Sequence, residues 1–412
     1  MQPNSSDMSQ NNNSNNKKIF AIVALISFLN SVSFTIIIPT IYPYALSFGL
    51  NDQQASGLLA IYAISQFLVT PIFGRLSDIH GRKPLLVISL FGSVLSNILA
   101  AISPSAWLLF VARLVDGITG GNTSVVQAVV SDISSPQDRA KNFGIIGATF
   151  GTGFIVGPAL AIFAQKYIHI NGVSTLGSAF ALSAIMASLA TVLTVIILPE
   201  TNLNKKSASN QNLFKELIAV FKFKELWTSL FIPKLGLVFW LTLLNGLAFT
   251  VFTFGYQPYF IKILGRTSED LAWLFTLIGL IGLISNFTLG KLVKKFGTVE
   301  TLIGAWIIRG LILIAMVLVP SYNWFVCWGL FFALVNPIPM PLVNTLVSNN
   351  SKPDEQGKNA GFNASYNSFS NAIGPLLSGF VISFGLILPF WLAGSLTLLV
   401  ACLLFFWRKE VV

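Results

Sequence analysis

Gly74-Arg75-Leu76-Ser77-Asp78-Ile79-His80-Gly81-Arg82-Lys83-Pro84-Leu85-Leu86 is a polar stretch caught between two long apolar runs, 53–73 and 84–103. Each run is long enough to cross a hydrocarbon core of roughly 30 Å, which takes about 20 helical residues. Between them stand one Asp and three basic residues, the composition of a connection retained on the cytoplasmic face of a membrane. Gly74 and Gly81 allow a tight turn with close backbone approach. Asp78 and Arg82 are four apart and can pair with each other or with a neighbouring helix.

The rest of the chain repeats that alternation. Of 412 residues 54% are hydrophobic and 10% charged, against roughly a quarter charged in an ordinary soluble domain, which excludes a soluble globular enzyme. Two His and two Cys are too few for a metal cluster or a disulfide framework, so no cofactor or metal is expected. The net charge of +10 could suggest nucleic acid, but the charges lie in the connections between apolar runs, so no nucleic-acid partner is expected. Apolar runs predict twelve spans: 19–46, 53–73, 84–103, 106–131, 142–165, 174–198, 235–261, 270–290, 299–319, 323–347, 359–383 and 386–407. With both termini inside, 20 of the 25 Lys and Arg fall on the cytoplasmic side. Only Lys166, Lys262 and Arg266 fall outside, with Arg113 and Arg309 inside spans. Residues 1–18 read as a disordered cytoplasmic tail and 408–412 as a second tail. Residues 199–234 read as a cytoplasmic linker, either a bare tether or one carrying an amphipathic surface helix.

The chain is also a duplication. Leu29-Asn30, Phe34-Thr35 and Pro43-Tyr44 recur as Leu244-Asn245, Phe249-Thr250 and Pro258-Tyr259, at an offset of 215. Gly74, Leu76 and Gly81 recur as Gly290, Leu292 and Gly297 at 216, and Ser131, Lys141-Asn142 and Gly157-Pro158 as Ser348, Lys358-Asn359 and Gly374-Pro375 at 217. An ordered series at nearly constant spacing makes 19–198 and 235–407 two copies of one six-helix bundle. The predicted fold is an all-α membrane protein of twelve transmembrane helices in two pseudo-symmetric halves, the architecture of a rocking transporter with its substrate site near the midplane.

The opening stretch resembles the loop signature of the major facilitator superfamily, G-x-L-a-D-r-x-G-r-k-x-x-l, with Ile79 in place of a basic residue. Leu109, Arg113, Asp116 and Gly117 are similar to its l-x-x-x-R-x-x-q-G pattern, with Asp116 where Gln is usual. Gly144, Gly153, Gly157 and Pro158 are similar to its antiporter signature on the fifth helix, except that Ala161-Ile162 replaces the final two glycines. With Leu198-Pro199-Glu200-Thr201 closing the sixth span, the chain after residue 18 resembles twelve-span drug:proton antiporters of the tetracycline-efflux branch. The resemblance implies a cluster of Asp78, Arg82 and Asp132 that locks one side closed. It also implies a central cavity lined by spans 1, 4, 7 and 10.

Arg113 and Asp116 share one helix face, and a charge inside a bilayer needs a cavity or a partner. The pair reads equally as a proton carrier or as a permanent structural ion pair. Asn30, Asn245, Gln257 and Asn336, with Tyr44 and Tyr259, are the substrate-pathway candidates. Export of small lipophilic, drug-like molecules in exchange for protons is the expected function, by a monomer in a cell membrane, a bacterial inner membrane first among them. The alternative is a facilitator or proton symporter for a small neutral solute, because span 1 holds no Asp or Glu.

Overall fold

The computed structural model describes residues 5–135, 138–202, 223–352 and 355–411. It is all-α. The first half holds α1 (Ser5–Ser47), α2 (Asp52–His80), α3 (Arg82–Ala101), α4 (Ala106–Thr119), α5 (Asn122–Ile133), α6 (Arg139–Tyr167) and α7 (Gly177–Ile196). After the short α8 (Phe223–Ser229) come α9 (Leu235–Lys262), α10 (Ser268–Phe296), α11 (Thr298–Ala315), α12 (Tyr322–Val335), α13 (Pro339–Asn349), α14 (Gln356–Ile382) and α15 (Leu388–Val411).

Among the described residues ten helical stretches are long and apolar enough to cross a membrane. The other two expected spans are present in altered form. α14 has the length, but four Asn and four Ser dilute its hydropathy. The fourth span is snapped into α4 and α5 at Gly120-Gly121, where a continuous helix over 106–131 is expected from the apolar pattern. The tenth span is snapped into α12 and α13 at Asn336-Pro337-Ile338, where its prolines predict a break. The two breaks coincide at the repeat offset of 217, so one distortion has been kept with different residues, a glycine pair in one half and a proline in the other. Backbone freed at the first break is satisfied by side chains, as a membrane interior requires. Gln66 Nε2 donates to Gly120 O at 3.0 Å, and Ser89 Oγ donates to Thr119 O.

Two helices begin with reciprocal side-chain capping. Asn51 and Gln54 exchange side chain-to-backbone bonds of 2.8 and 3.0 Å at the start of α2, and Thr267 and Asp270 form the same reciprocal box at the start of α10. Two departures from expectation concern helix ends. α1 is helical back to Ser5, through the polar tail expected to be disordered; residues 5–18 contain no Pro or Gly to stop a helix nucleated by the apolar run. α2 runs on to His80, so Gly74–His80 are helical, and the turn is Gly81 alone, at φ 109. Its repeat, Gly297, does the same at φ 88. Of the linker, 203–222 lies outside the described residues, and so does the whole amphipathic stretch expected there, 213–222.

Packing divides the chain into two compact units, Met1–Thr40 with Ser65–Phe221, and Ile41–Ile64 with Lys222–Val412. The end of α1 and the start of α2 pack within the second unit. There Tyr42 meets Phe254 edge to face at 6.3 Å, and Ser56 sits where a Cβ on Gly379 would come within 2.0 Å of its hydroxyl. The core of the first unit is aliphatic, Leu86 and Leu90 of α3 against Val125 and Val129 of α5. That of the second is aromatic, with Tyr256, Tyr259, Phe260, Phe325 and Phe390 fully buried together. Close packing of this kind, rather than escape from water, is what holds helices together in lipid.

Candidate functional site

The first unit brings Asp78, Arg82 and Asp132 together. Arg82 Nη1 lies 2.6 Å from Asp78 Oδ1, and its Nε lies 3.0 Å from Asp132 Oδ2. Ser77 Oγ accepts a further bond from Nη1 at 2.7 Å. Helical register does the positioning: Asp78 is on the last turn of α2, Arg82 opens α3, and Asp132 is on the last turn of α5. The strand of chain leaving α7 completes the cluster in a way the sequence did not suggest. Glu200 accepts from the backbone N–H groups of Arg82 (2.8 Å) and Lys83 (3.2 Å), capping the N-terminus of α3, where a negative charge is favourable. Thr201 Oγ1 donates to Asp132 Oδ2 at 3.3 Å, and Asn202 Nδ2 donates to Asp78 O at 2.9 Å. A Cβ on Gly81 would fall 2.3 Å from Glu200 Oε2, so this glycine is required by both its φ and its neighbour. Gly74 has no such constraint; its nearest non-local atom is Ser124 Oγ, 3.7 Å from a Cβ placed there.

Deeper in the same unit, Arg113 Nη1 and Asp116 Oδ2 of α4 are 3.2 Å apart, with the residues 2% and 6% exposed. Ser96 Oγ accepts from Arg113 Nη2 at 3.3 Å, and the guanidinium lies 5.7 Å from the Phe180 ring centroid. The Gly120-Gly121 break separates this pair from Thr123 and Gln127 of α5. Beyond it Asn122 Nδ2 donates to Asn30 Oδ1 at 3.2 Å, tying α5 to α1.

Two of the three signature glycines in the fifth span, Gly153 and Gly157, are contact points. A Cβ would come within 2.0 Å of Ser31 Oγ at Gly153 and 2.1 Å of Thr35 Oγ1 at Gly157, so α6 lies directly against α1 there. Thr35 Oγ1 also donates to Gly153 O at 2.7 Å, and the repeat reproduces the bond, Thr250 Oγ1 to Ser370 O at 3.1 Å. Gly144 has open space around it, and Pro158 lies inside the unbroken α6.

The pathway candidates separate into two groups. Asn30, Asn245 and Asn336 are partly exposed. Gln257, Tyr44 and Tyr259 are buried, Tyr259 stacked on Phe325 at 5.4 Å, because span ends rich in aromatic residues pack on themselves. These three do not line an open surface in this conformation. Asn363 is structural, accepting from Thr242 Oγ1 at 2.5 Å and donating to Asn344 Oδ1 at 2.9 Å. Among the described residues no group of three His, Cys, Asp or Glu could hold a metal ion.

A model of the Major Facilitator Superfamily matches residues 23–370 and 238–412. The chain belongs to that superfamily. It is 28% identical to the class H tetracycline resistance protein of Pasteurella multocida, over 92% of this chain and 94% of that one. It is 25% identical to the quinolone resistance protein NorA of Staphylococcus aureus, over 93% and 94%. The crystal structure of the human organic anion transporter MFSD10 (TETRAN) superposes with a TM-score of 0.68 at 22% identity, covering 94% of this chain and 99% of that one. This superfamily member is a multi-pass membrane protein of the facilitator fold and not an enzyme.

Proposed function

We propose that this superfamily member exports small lipophilic, drug-like molecules across a bacterial inner membrane by alternating access, in exchange for protons. The observation that carries the reading is likeness to tetracycline and quinolone resistance proteins along nearly the whole of both chains. Both termini are assigned to the cytoplasm on the distribution of basic residues. One chain supplies both halves of the pathway, so a monomer suffices.

The proton is assigned to Asp116. Among the described residues it is the only carboxylate deep within a span, and Arg113 lies 3.2 Å from it. The proton affinity of a carboxylate beside a single cation changes whenever substrate or water displaces that cation. The gate is assigned to Asp78, Arg82 and Asp132, with Glu200 capping it. Bonds that exist in one state stabilise only that state, and the pathway is biased by their differential strength. In proteoliposomes with an imposed pH gradient and a panel of lipophilic drugs, Asp116→Asn is expected to abolish gradient-driven flux while leaving drug exchange at equal pH. Undiminished proton-coupled flux in that variant removes Asp116 as the carrier. If no drug responds to the gradient in the native protein, the facilitator reading replaces this one.

A further inference from the structure

Among the described residues the second unit contains one charge deep within its spans, and it is a cation. In α9 to α15 the Asp and Glu residues are confined to terminal turns, whereas Arg309 lies eleven residues into α11, roughly 16 Å along its axis. Arg309 is 3% exposed. Its Nη2 donates to Asn245 Oδ1 of α9 at 2.5 Å and, at 3.4 Å, to Thr397 Oγ1 of α15. Trp306 Nε1 donates to the same Asn245 oxygen at 2.8 Å. Its Nε is buried without an acceptor, and among the described residues no carboxylate lies within ion-pair distance.

The contrast with the first unit is within one duplicated framework. Thr397 stands 217 positions after Phe180, and Asn245 stands 215 after Asn30. Phe180 meets Arg113, and Thr397 meets Arg309, so each repeat directs an arginine at the same site on its last helix, from span 4 in one and span 9 in the other. Arg113 has its carboxylate 3.2 Å away. Arg309 has only an amide and a hydroxyl, which accept hydrogen bonds but cancel no charge. A guanidinium does not lose its proton, and a cation at the centre of a membrane span costs at least about 2.5 kcal/mol on insertion scales. An anion is the partner that would balance this charge. A planar fork with unused N–H groups matches a carboxylate or an enolate, which it grips through two oxygens.

We propose that Arg309 is an anion-binding residue for the transported molecule, taking a carboxylate or enolate group of the substrate, with Asn245 as the neutral placeholder that the anion displaces. This rests on the export reading and narrows it: preferred substrates carry an acidic group besides their apolar body. Trp306 shares the Asn245 oxygen, so its indole reports the exchange.

The test uses the full chain in proteoliposomes and detergent, with a fluoroquinolone carboxylic acid and its methyl ester as probes, transport and tryptophan quenching as readouts, and thermal unfolding as a check on folding. A charge-assisted hydrogen bond accounts for roughly ten- to hundredfold in affinity. Arg309→Gln is expected to raise the KM and quenching Kd of the acid by that factor and to change those of the ester less than twofold, with Arg309→Lys intermediate. Equal losses for acid and ester, or no loss for either, overturn the proposal. So does a loss for both that tracks chloride concentration, which would identify a resident inorganic anion. Should Arg309→Gln not insert, the native protein and Arg309→Lys decide: a native preference for the ester over the acid, or an unchanged acid-to-ester ratio in Arg309→Lys, overturns it. Export of neither probe against a gradient fails the export reading, whereas binding of the acid that is sensitive to Arg309 sustains the proposal without it.

Discussion

At the scale of single residues, the most consequential side chain missed in the sequence is Glu200. Its partners are mostly backbone N–H groups, two of them 117 and 118 positions away, and main-chain donors leave no mark in a sequence motif. Asp78 and Arg82, by contrast, announce themselves by sitting four apart. The cap holds the first turn of α3, from which Arg82 reaches both carboxylates, so its loss should act through the gate. Charge-assisted hydrogen bonds contribute about 2 kcal/mol each, roughly thirtyfold in an equilibrium between states. Asp78→Asn is expected to abolish transport while membrane insertion and yield stay at native levels. Glu200→Ala should reduce the transport rate at least tenfold, and Glu200→Gln, which keeps one acceptor, should recover part of it. Normal transport by Glu200→Ala with an unchanged response to pH would remove the cap from the gate.

Among elements, the contrast between the two broken spans explains what the sequence makes legible. Pro337 advertises its break because it lacks an N–H. Gly120-Gly121 is compatible with a continuous membrane helix, and only packing reveals why it is not one: a Cβ on Gly121 would lie 2.3 Å from Phe73. Most of the architecture, twelve spans in two copies, was readable from apolar run lengths and a constant repeat offset. Helix ends were read short wherever polar residues continue the helix, as at Gly74–His80. The site was legible where charges are close in sequence, as in Arg113 and Asp116, and illegible where burial decides, as in Gln257 and Tyr259. Helix contact also explains the fifth-span glycines. Gly157→Ala places its methyl 2.1 Å from Thr35 Oγ1 and 2.8 Å from the Ile36 nitrogen. Overpacking typically costs about 1–3 kcal/mol, so the detergent-solubilised variant should unfold at lower temperature. Because backbone is among the atoms struck, adding Thr35→Ala should not restore it; full recovery in the double variant would contradict the contact.

For the molecule as a whole, Asp52 and Asp78 mark opposite ends of α2, about 40 Å apart by helical rise. At the first end, within the second unit, Asp52 Oδ1 accepts from Tyr42 OH at 2.6 Å and from Lys262 Nζ at 2.5 Å. This joins the first two helices of one copy to the first helix of the other. The lysine is 40% exposed, and such pairs contribute about 1 kcal/mol or less. That is small for folding and sufficient to tune a conformational equilibrium. Asp52→Lys should slow transport severalfold, and combining it with Lys262→Asp should recover most of the loss. Equal rates in the single and double variants would show that the pair has no part in turnover.

The division of α1 between the two units, at Thr40 and Ile41, has a mechanical corollary. A rod whose two ends are packed in different surroundings stores any bending along its own length. Pro39 stands immediately beside the changeover and leaves one rung of the backbone ladder unfastened there, so the rod is softest where its surroundings change.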